Sequence, residues 1–399
     1  MDKISILKNR IQEYAWGSYT AIPELLGQKS PSEKPQAELW MGAHPKASSQ
    51  IEYEGKQVLL SDMIRKYPEK ILGKAVAKKF GNSLPYLFKV LAAAKPLSVQ
   101  AHPDAIQATS GFEMENRLKI PPDAPNRNYK DSSHKPECIC ALTRFRALKG
   151  FRPIPEILLL TEKICPQELK KERMMLETQP DSEGLKQFFQ SLMTMPEERK
   201  NDVISHALAK AEKFSAEHPA FREIPELHKE YPWDIGVLSP LFLNLICLEP
   251  GQAMFLPAGE LHSYLDGVGL ELMANSDNVL RGGLTPKHVD VPELLKVLRF
   301  EAREVSLITP RQISEYERIY PTPAEEFCLS VISLTSDMSN ASFSPSGMEI
   351  LLCAAGKADM TQDGHLLSLS KGVSVMVPAS VRKYSIKGNA LIYKASVPL

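Results

Sequence analysis

PGQAMFLPAGELH, residues 250–262, decides how the rest of the chain is read. Its AMFL run has strand length and apolar character, and Gly251, Pro257 and Gly259 punctuate it on either side, which predicts a short strand ending in a tight turn. His262 comes directly out of that turn. A histidine alone in such a place is more often a hydrogen-bonded core residue than a ligand, so its meaning depends on partners elsewhere in the chain. KPLSVQAH, residues 95–102, follows the long apolar run 84–93 and, if extended, sets Ser98, Gln100 and His102 on one face and Val99 and Ala101 on the other. HKPECICAL, residues 134–142, likewise puts Lys135, Glu137 and Ile139 on one face and His134, Pro136, Cys138 and Cys140 on the opposite one. Gln100, His102, Glu137 and His262 together offer two imidazole nitrogens and two oxygens, the make-up of a four-ligand metal site. From spacing alone, Gln100 can equally be a hydrogen-bonding neighbour of the ligands.

The spacing of Gly251, Pro257, Gly259 and His262 resembles the second sequence motif of cupins, small double-stranded β-barrels that hold a divalent metal inside. A wider resemblance is carried by QEYAWG (12–17), AELWMGAHPKASS (37–49), LPYLFKVLAAAKPLSVQAHP (84–103), NYKDSSHKPE (128–137) and ELMANSDNVLRGGLTPKHVDVPEL (271–294). These blocks, spread over most of residues 10–300, are similar to those of type I mannose-6-phosphate isomerases. The resemblance implies an isomerase that interconverts D-mannose 6-phosphate and D-fructose 6-phosphate by zinc-assisted proton transfer through a cis-enediol. It also implies one zinc ion per chain on Gln100, His102, Glu137 and His262, and it makes Arg281 the residue treated as catalytic. A permanently charged guanidinium is better suited to stabilising an enediolate or fixing a phosphate than to abstracting a proton. Lys135, on the face of Glu137, is a candidate for phosphate binding or acid/base work, and Asp277 or His134 for the base, although a regular strand turns His134 away. Ser98, Tyr264, Glu271 and Lys287 are the candidate substrate contacts, while His44 and Trp16 are read as organising the fold. One small departure is Ser263, where the family more often has alanine.

Two other readings use the same residues. His102, Glu137 and His262 also make the two-histidine, one-carboxylate set of Fe(II) oxygenases, and two-barrel cupins include sugar-binding and storage proteins. Metal analysis separates the first, and turnover of mannose 6-phosphate separates both.

At 399 residues the chain predicts two or three domains. Lys plus Arg and Asp plus Glu balance at 48 each, which gives no overall charge to attract nucleic acid or a membrane surface. No apolar run is long enough to span a bilayer, and the six cysteines form no C-x-x-C pair, so the reading is a soluble, cytoplasmic protein with reduced thiols. The resemblance implies a small phosphosugar substrate, and a monomer is compatible with the sequence.

The fold expected is mainly β, with two cupin-like, jelly-roll barrels and a helical insertion. Residues 1–152 and 231–308 form the metal-binding domain, 153–230 the insertion, and 309–399 a C-terminal cupin-like domain without metal. Within the insertion, Leu185, Phe188, Phe189, Leu192 and Met193 fall at helical spacing, as do Ile204, Ala207, Leu208 and Ala211. Thr194 with Glu197 and Asp290 with Glu293 have capping-box spacing. A helix bracketed by Pro68 and Gly81 is expected, a loop over residues 103–127, and strand from Leu238. Gly372, Pro378, Ser380 and Lys383 repeat the spacing of Gly251, Pro257, Gly259 and His262, with lysine where the histidine stood, and this suggests a duplicated unit whose second copy holds no metal.

Overall fold

Apolar alternation becomes antiparallel pairing throughout the computed structural model, which describes residues 2–336 and 340–398. The strand His262–Ala274 is the hub of a ten-stranded sheet. Its first half pairs with Phe145–Phe151 on one side and, at His262, with Gln100 on the other. After a register slip at Asp266 its second half pairs with Tyr86–Ala93 and Glu137–Ala141. Gly267 stands at the slip with φ +115°, and a Cβ there would lie 2.6 Å from the carbonyl oxygen of Arg144, so glycine is what lets the strand pass from one set of neighbours to the other. Among the described residues the ladders run as open paths, and no ring of strands closes.

Residues 311–396 contribute most of a nine-stranded sheet around Glu349–Gln362 and Tyr384–Ser396, and Ser5–Ile6 joins it by pairing with Ser374–Val377. The start of the chain therefore ties one β unit to the other. Alternation sets what each face buries. Cys138 and Cys140 turn towards Leu329, Ile350 and Tyr393 in a core shared by the two sheets, while Ile139 and Ala141 turn the other way, towards Phe145, Met254 and Tyr264. Burial pushes both thiols up, to about 11 for Cys140, and all six cysteines are free. No described helix is long and apolar enough to cross a membrane.

Five helices between Ile154 and Glu230 form the insertion. Leu185, Phe188, Phe189 and Leu192 lie on one stripe of Ser182–Met193 and are buried, as are Ile204, Ala207 and Ala211. They share a core with Val99, Ala101, Leu148, Leu261 and Leu280, so the helices pack on the backs of the strands that carry Gln100, His262 and Arg281. Burying one such Leu or Phe side chain contributes roughly 1.5–3 kcal/mol, enough to hold those strand ends in place.

Several local expectations differ from the structure. The helix expected between Pro68 and Gly81 is two short ones, Pro68–Leu72 and Lys74–Lys79, because Gly73 at φ +90° breaks the stripe, and a separate short helix, Leu60–Lys66, precedes them. The region after His102 contains a helix, Ala105–Arg117, closed by a reciprocal box between Asp104 and Gln107; its apolar stripe is weak, and the cap rather than periodicity was the available signal. Leu238 lies in a 3-10 turn, Ile235–Leu241, and strand begins at Leu243. Thr194 ends a helix, bonding back to the Gln190 carbonyl, instead of opening the next one. Asp290 does cap Val291–Val297, accepting from the Glu293 N–H, but the Glu293 carboxylate is taken by Tyr129 and Lys296.

His134 faces away from Glu137 and reaches the segment leading into the second sheet, with Nε2 2.6 Å from Glu326 Oε1. The bond to Glu326 raises its pKa above the ordinary histidine value. A raised folded-state pKa adds stability that is complete below the unfolded value and is lost as pH rises through the folded one. His134→Ala is therefore expected to lower Tm more at about pH 6 than at about pH 8.5. An equal loss at both pH values would contradict an ionic latch.

Candidate metal and substrate site

The turn after the strand Ala253–Leu256 is built around Gly259, whose φ of +79° and whose approach to Val297 exclude a side chain: a Cβ would meet the Val297 carbonyl oxygen at 2.8 Å. The turn delivers His262, 1 % exposed, against His102, also 1 % exposed, with ring centroids 5.1 Å apart. Each ring is fixed through Nδ1, His102 by the carbonyl of Asn278 at 2.7 Å and His262 by that of Glu260 at 3.0 Å. A carbonyl can only accept, so Nδ1 carries the proton and the Nε2 lone pairs are free.

Those two Nε2 atoms are buried and make no hydrogen bond; they lie 3.3 and 3.4 Å from the two oxygens of Glu137. One ligand atom from each residue falls within 4.8 Å of the others. Two orphaned imidazole nitrogens around one buried carboxylate fit a divalent cation of the zinc type. Burial, followed by the charge of Lys135, pushes His102 down to about 4, which keeps it neutral and able to ligate. Burial alone would raise Glu137, but Lys135, with Nζ 2.8 Å from Oε1, and the imidazoles outweigh it and hold the carboxyl well below its usual range.

Gln100 lies directly across the sheet from His262 on one side and from Arg281 on the other. Directly opposed residues project to the same face, so the three side chains stand in one row. The Gln100 and Arg281 end of this row opens on a cavity of about 520 Å³, lined also by Ser98 and Lys287, with Trp16 and Tyr231 among its walls. Among the described residues, Arg281, Lys287 and nearby Lys130 have no carboxylate at ion-pair distance. Burial, then the neighbouring cations, lowers the pKa of both lysines, as expected of like charges held together. Cations with no carboxylate partner among the described residues, around a half-buried arginine, have the chemistry to attract an anion. A second cavity of about 560 Å³, lined by Leu142, Arg318, Tyr320 and Tyr393, lies away from this cluster and has no comparable group of titratable side chains.

Tyr264 continues the polar chain inward, its hydroxyl 3.5 Å from Glu137 Oε2 and beside Glu271. Glu271 accepts from Lys89 Nζ at 2.7 Å, and Glu38 stands 3.7 Å from the same ammonium. Burial raises the Glu271 pKa despite Lys89, while the two carboxylates outweigh burial and keep Lys89 protonated. Asp277 is placed differently from a free base. Burial would raise its pKa, but its carboxylate meets Lys46 Nζ at 2.8 Å, and that ammonium outweighs burial and lowers it; His44 Nε2, 3.6 Å away, belongs to an imidazole whose own pKa burial lowers.

The catalytic-domain model of type I phosphomannose isomerases matches residues 4–154, the helical-insertion model of the same family residues 161–243, and the mannose-6-phosphate isomerase cupin model residues 316–396. The chain is 42 % identical over 385 residues to the mannose-6-phosphate isomerase of Escherichia coli, covering 96 % of this chain and 97 % of that one. The chain belongs to the type I phosphomannose isomerase family. The human family member is 36 % identical over 346 residues, covering 80 % and 79 % of the two chains. A zinc-bound holo mannose 6-phosphate isomerase superposes with a TM-score of 0.92 at 41 % identity, over 99 % of this chain and 100 % of that one. A mutant of the Salmonella typhimurium phosphomannose isomerase gives the same TM-score of 0.92 at 41 % identity, with 99 % and 100 % covered.

The family models thus include a helical insertion domain, over residues 161–243, and a cupin domain, over residues 316–396. Of the sequence candidates, His102, Glu137 and His262 meet at one point, Lys135 and Tyr264 touch Glu137, and Ser98, Gln100, Arg281 and Lys287 line the cleft. Lys89, Glu38, Lys130 and Asn278 escaped sequence reasoning. For Lys89 the signal was one charge in the otherwise uncharged strand Tyr86–Ala93, all of it buried. For the others there was no local signal, because only the folded chain shows their neighbours.

Proposed function

We propose that this chain interconverts D-mannose 6-phosphate and D-fructose 6-phosphate by proton transfer through a cis-enediol, with one zinc ion on Gln100, His102, Glu137 and His262. The observation that carries the proposal is the row His262, Gln100 and Arg281, which joins a buried ligand set to a cleft of unpaired cations. A phosphosugar is the substrate such a cleft suits, with its phosphate on Arg281, Lys287 and Ser98 and its carbonyl end towards Glu137. Bound zinc supplies a Lewis acid that polarises the sugar oxygens without redox chemistry.

The residues of the chain do the rest. Lys135, 2.8 Å from the metal-side carboxylate, holds Glu137 and donates to a substrate oxygen beside it. Tyr264 and Glu271 line the inner wall and fix the hydroxyls. Asp277, kept ionised by Lys46 at 2.8 Å, is the proton acceptor of the proposal, and Arg281 stabilises the negative charge of the enediolate. The two β units are read as duplicated cupin-like barrels, the metal unit from residues 1–152 and 231–308 and the second from 309–399, separated in sequence by the insertion at 153–230. Gly251 and Gly372 share a φ of +85°, and the strands His262–Ala274 and Tyr384–Ser396 are each 13 residues long.

The deciding experiment is a coupled assay on mannose 6-phosphate, run in deuterated water. Turnover with solvent isotope at C1 of fructose 6-phosphate or C2 of mannose 6-phosphate is expected. Absence of turnover sinks the assignment, and turnover without isotope replaces the enediol route by a hydride shift.

A further inference from the structure

Asn278 is fully buried and bonds through every polar atom of its side chain to one short loop. Its Oδ1 accepts from the backbone N–H of Lys130 at 2.7 Å and of Asp131 at 3.2 Å. Its Nδ2 donates to the carbonyls of Asp131 at 2.8 Å and Ser133 at 2.9 Å. Asp131 returns the grip: Oδ1 accepts from Ser276 Oγ at 2.8 Å, and Oδ2 accepts from the backbone N–H of Asp277, also at 2.8 Å. A buried asparagine that only needed satisfying could stand anywhere with two partners. This one has its own carbonyl on His102 Nδ1 at 2.7 Å.

Three segments therefore cross at one residue. The loop 130–133 runs directly into Lys135 and Glu137, the segment 276–278 runs into Arg281, and His102 takes its orientation from the Asn278 carbonyl. A backbone carbonyl that fixes a ligand imidazole is only as well placed as the chain carrying it, and here that chain is pinned by a side-chain amide and a carboxylate.

We infer that Asn278, braced by Asp131, is the positioning residue of the metal centre: it sets the aim of His102 and holds the Glu137 and Arg281 segments in register with it. The inference rests on His102 being a zinc ligand, as proposed above. Asn278 touches neither substrate nor metal, and its contribution passes through His102 and the two loops.

The test measures zinc affinity by chelator competition on wild-type protein, Asn278→Ala and Asp131→Asn, together with the Tm of each metal-free form and the rise in Tm when zinc is added. Removing an outer partner of a ligand typically weakens metal binding about 10–100-fold. Asn278→Ala keeps the carbonyl that bonds His102 but frees the chain that carries it, so it is expected to lose zinc affinity towards the lower end of that range, about 10-fold, and to show a smaller zinc-induced rise in Tm, and Asp131→Asn to shift in the same direction by less. A merely structural asparagine would lower the Tm of the metal-free protein and leave zinc affinity unchanged, and that result overturns the inference. Should Asn278→Ala fail to fold, an unchanged zinc affinity in Asp131→Asn overturns it instead. Failure of the wild-type protein to bind zinc removes the ligand assignment and this inference together, an outcome distinct from wild-type binding that the variants match.

Discussion

His262→Ala is expected to leave a folded protein that neither retains zinc nor turns over mannose 6-phosphate. The fold survives because the cores of the insertion and of the shared interface between the sheets are built from other residues. The metal does not, because the substitution removes one of the two imidazoles whose Nε2 atoms face Glu137. The loss in affinity should exceed the ~10–100-fold that removing an outer partner costs, since a ligand itself is gone. Metal analysis after dialysis, with circular dichroism as the folding control, checks both halves. Lys383→Ala is the matched control: Lys383 stands at the corresponding spacing in the C-terminal unit but is exposed, and its removal should leave zinc content unchanged. A zinc-replete, active His262→Ala protein would rule out the proposed ligand set.

Arg281→Ala should lower kcat together with kcat/KM by about 10² or more, in line with the loss of other groups that stabilise a developing oxyanion. Arg281 is half-buried, has no carboxylate partner among the described residues, and sits opposite Gln100 in the sheet, so its charge is directed at whatever occupies the cleft beside the metal ligands. Steady-state kinetics on the purified variant separate two roles. A rise in KM with kcat intact would make Arg281 a phosphate anchor and leave charge stabilisation in the transition state to the other groups.

Much of the site was legible because it lies on short segments whose periodicity survives folding. The alternation of residues 134–142 placed Lys135 with Glu137 and turned His134 and the two cysteines away, and the structure has Lys135 on Glu137, His134 on Glu326, and Cys138 and Cys140 in the inter-sheet core. The stripe at Leu185, Phe188, Phe189 and Leu192 was equally plain. Where periodicity misled, a local break was responsible. Gly73 divides one apparent helix into two, and the reciprocal Asp104–Gln107 cap starts a helix in sequence that reads as loop.

The sequence by itself determined the residue types of the candidate metal set, the faces of the strands that carry them and, by resemblance, the family. Only the tertiary structure decided which charges meet. Lys89 and Glu271 are 182 residues apart and Asn278 and Lys130 are 148 apart, yet each pair is in hydrogen-bond contact. Periodicity reports which face a residue occupies relative to near neighbours, and it carries nothing about which strand lies opposite. The pairing that brings His262, Gln100 and Arg281 into one row is fixed by the register of three strands and by the Gly267 slip, and so by contacts distant in sequence. Burial acts in the same way: the desolvation that keeps His102 neutral exists only once the strands carrying Glu137 and His262 have been brought against it.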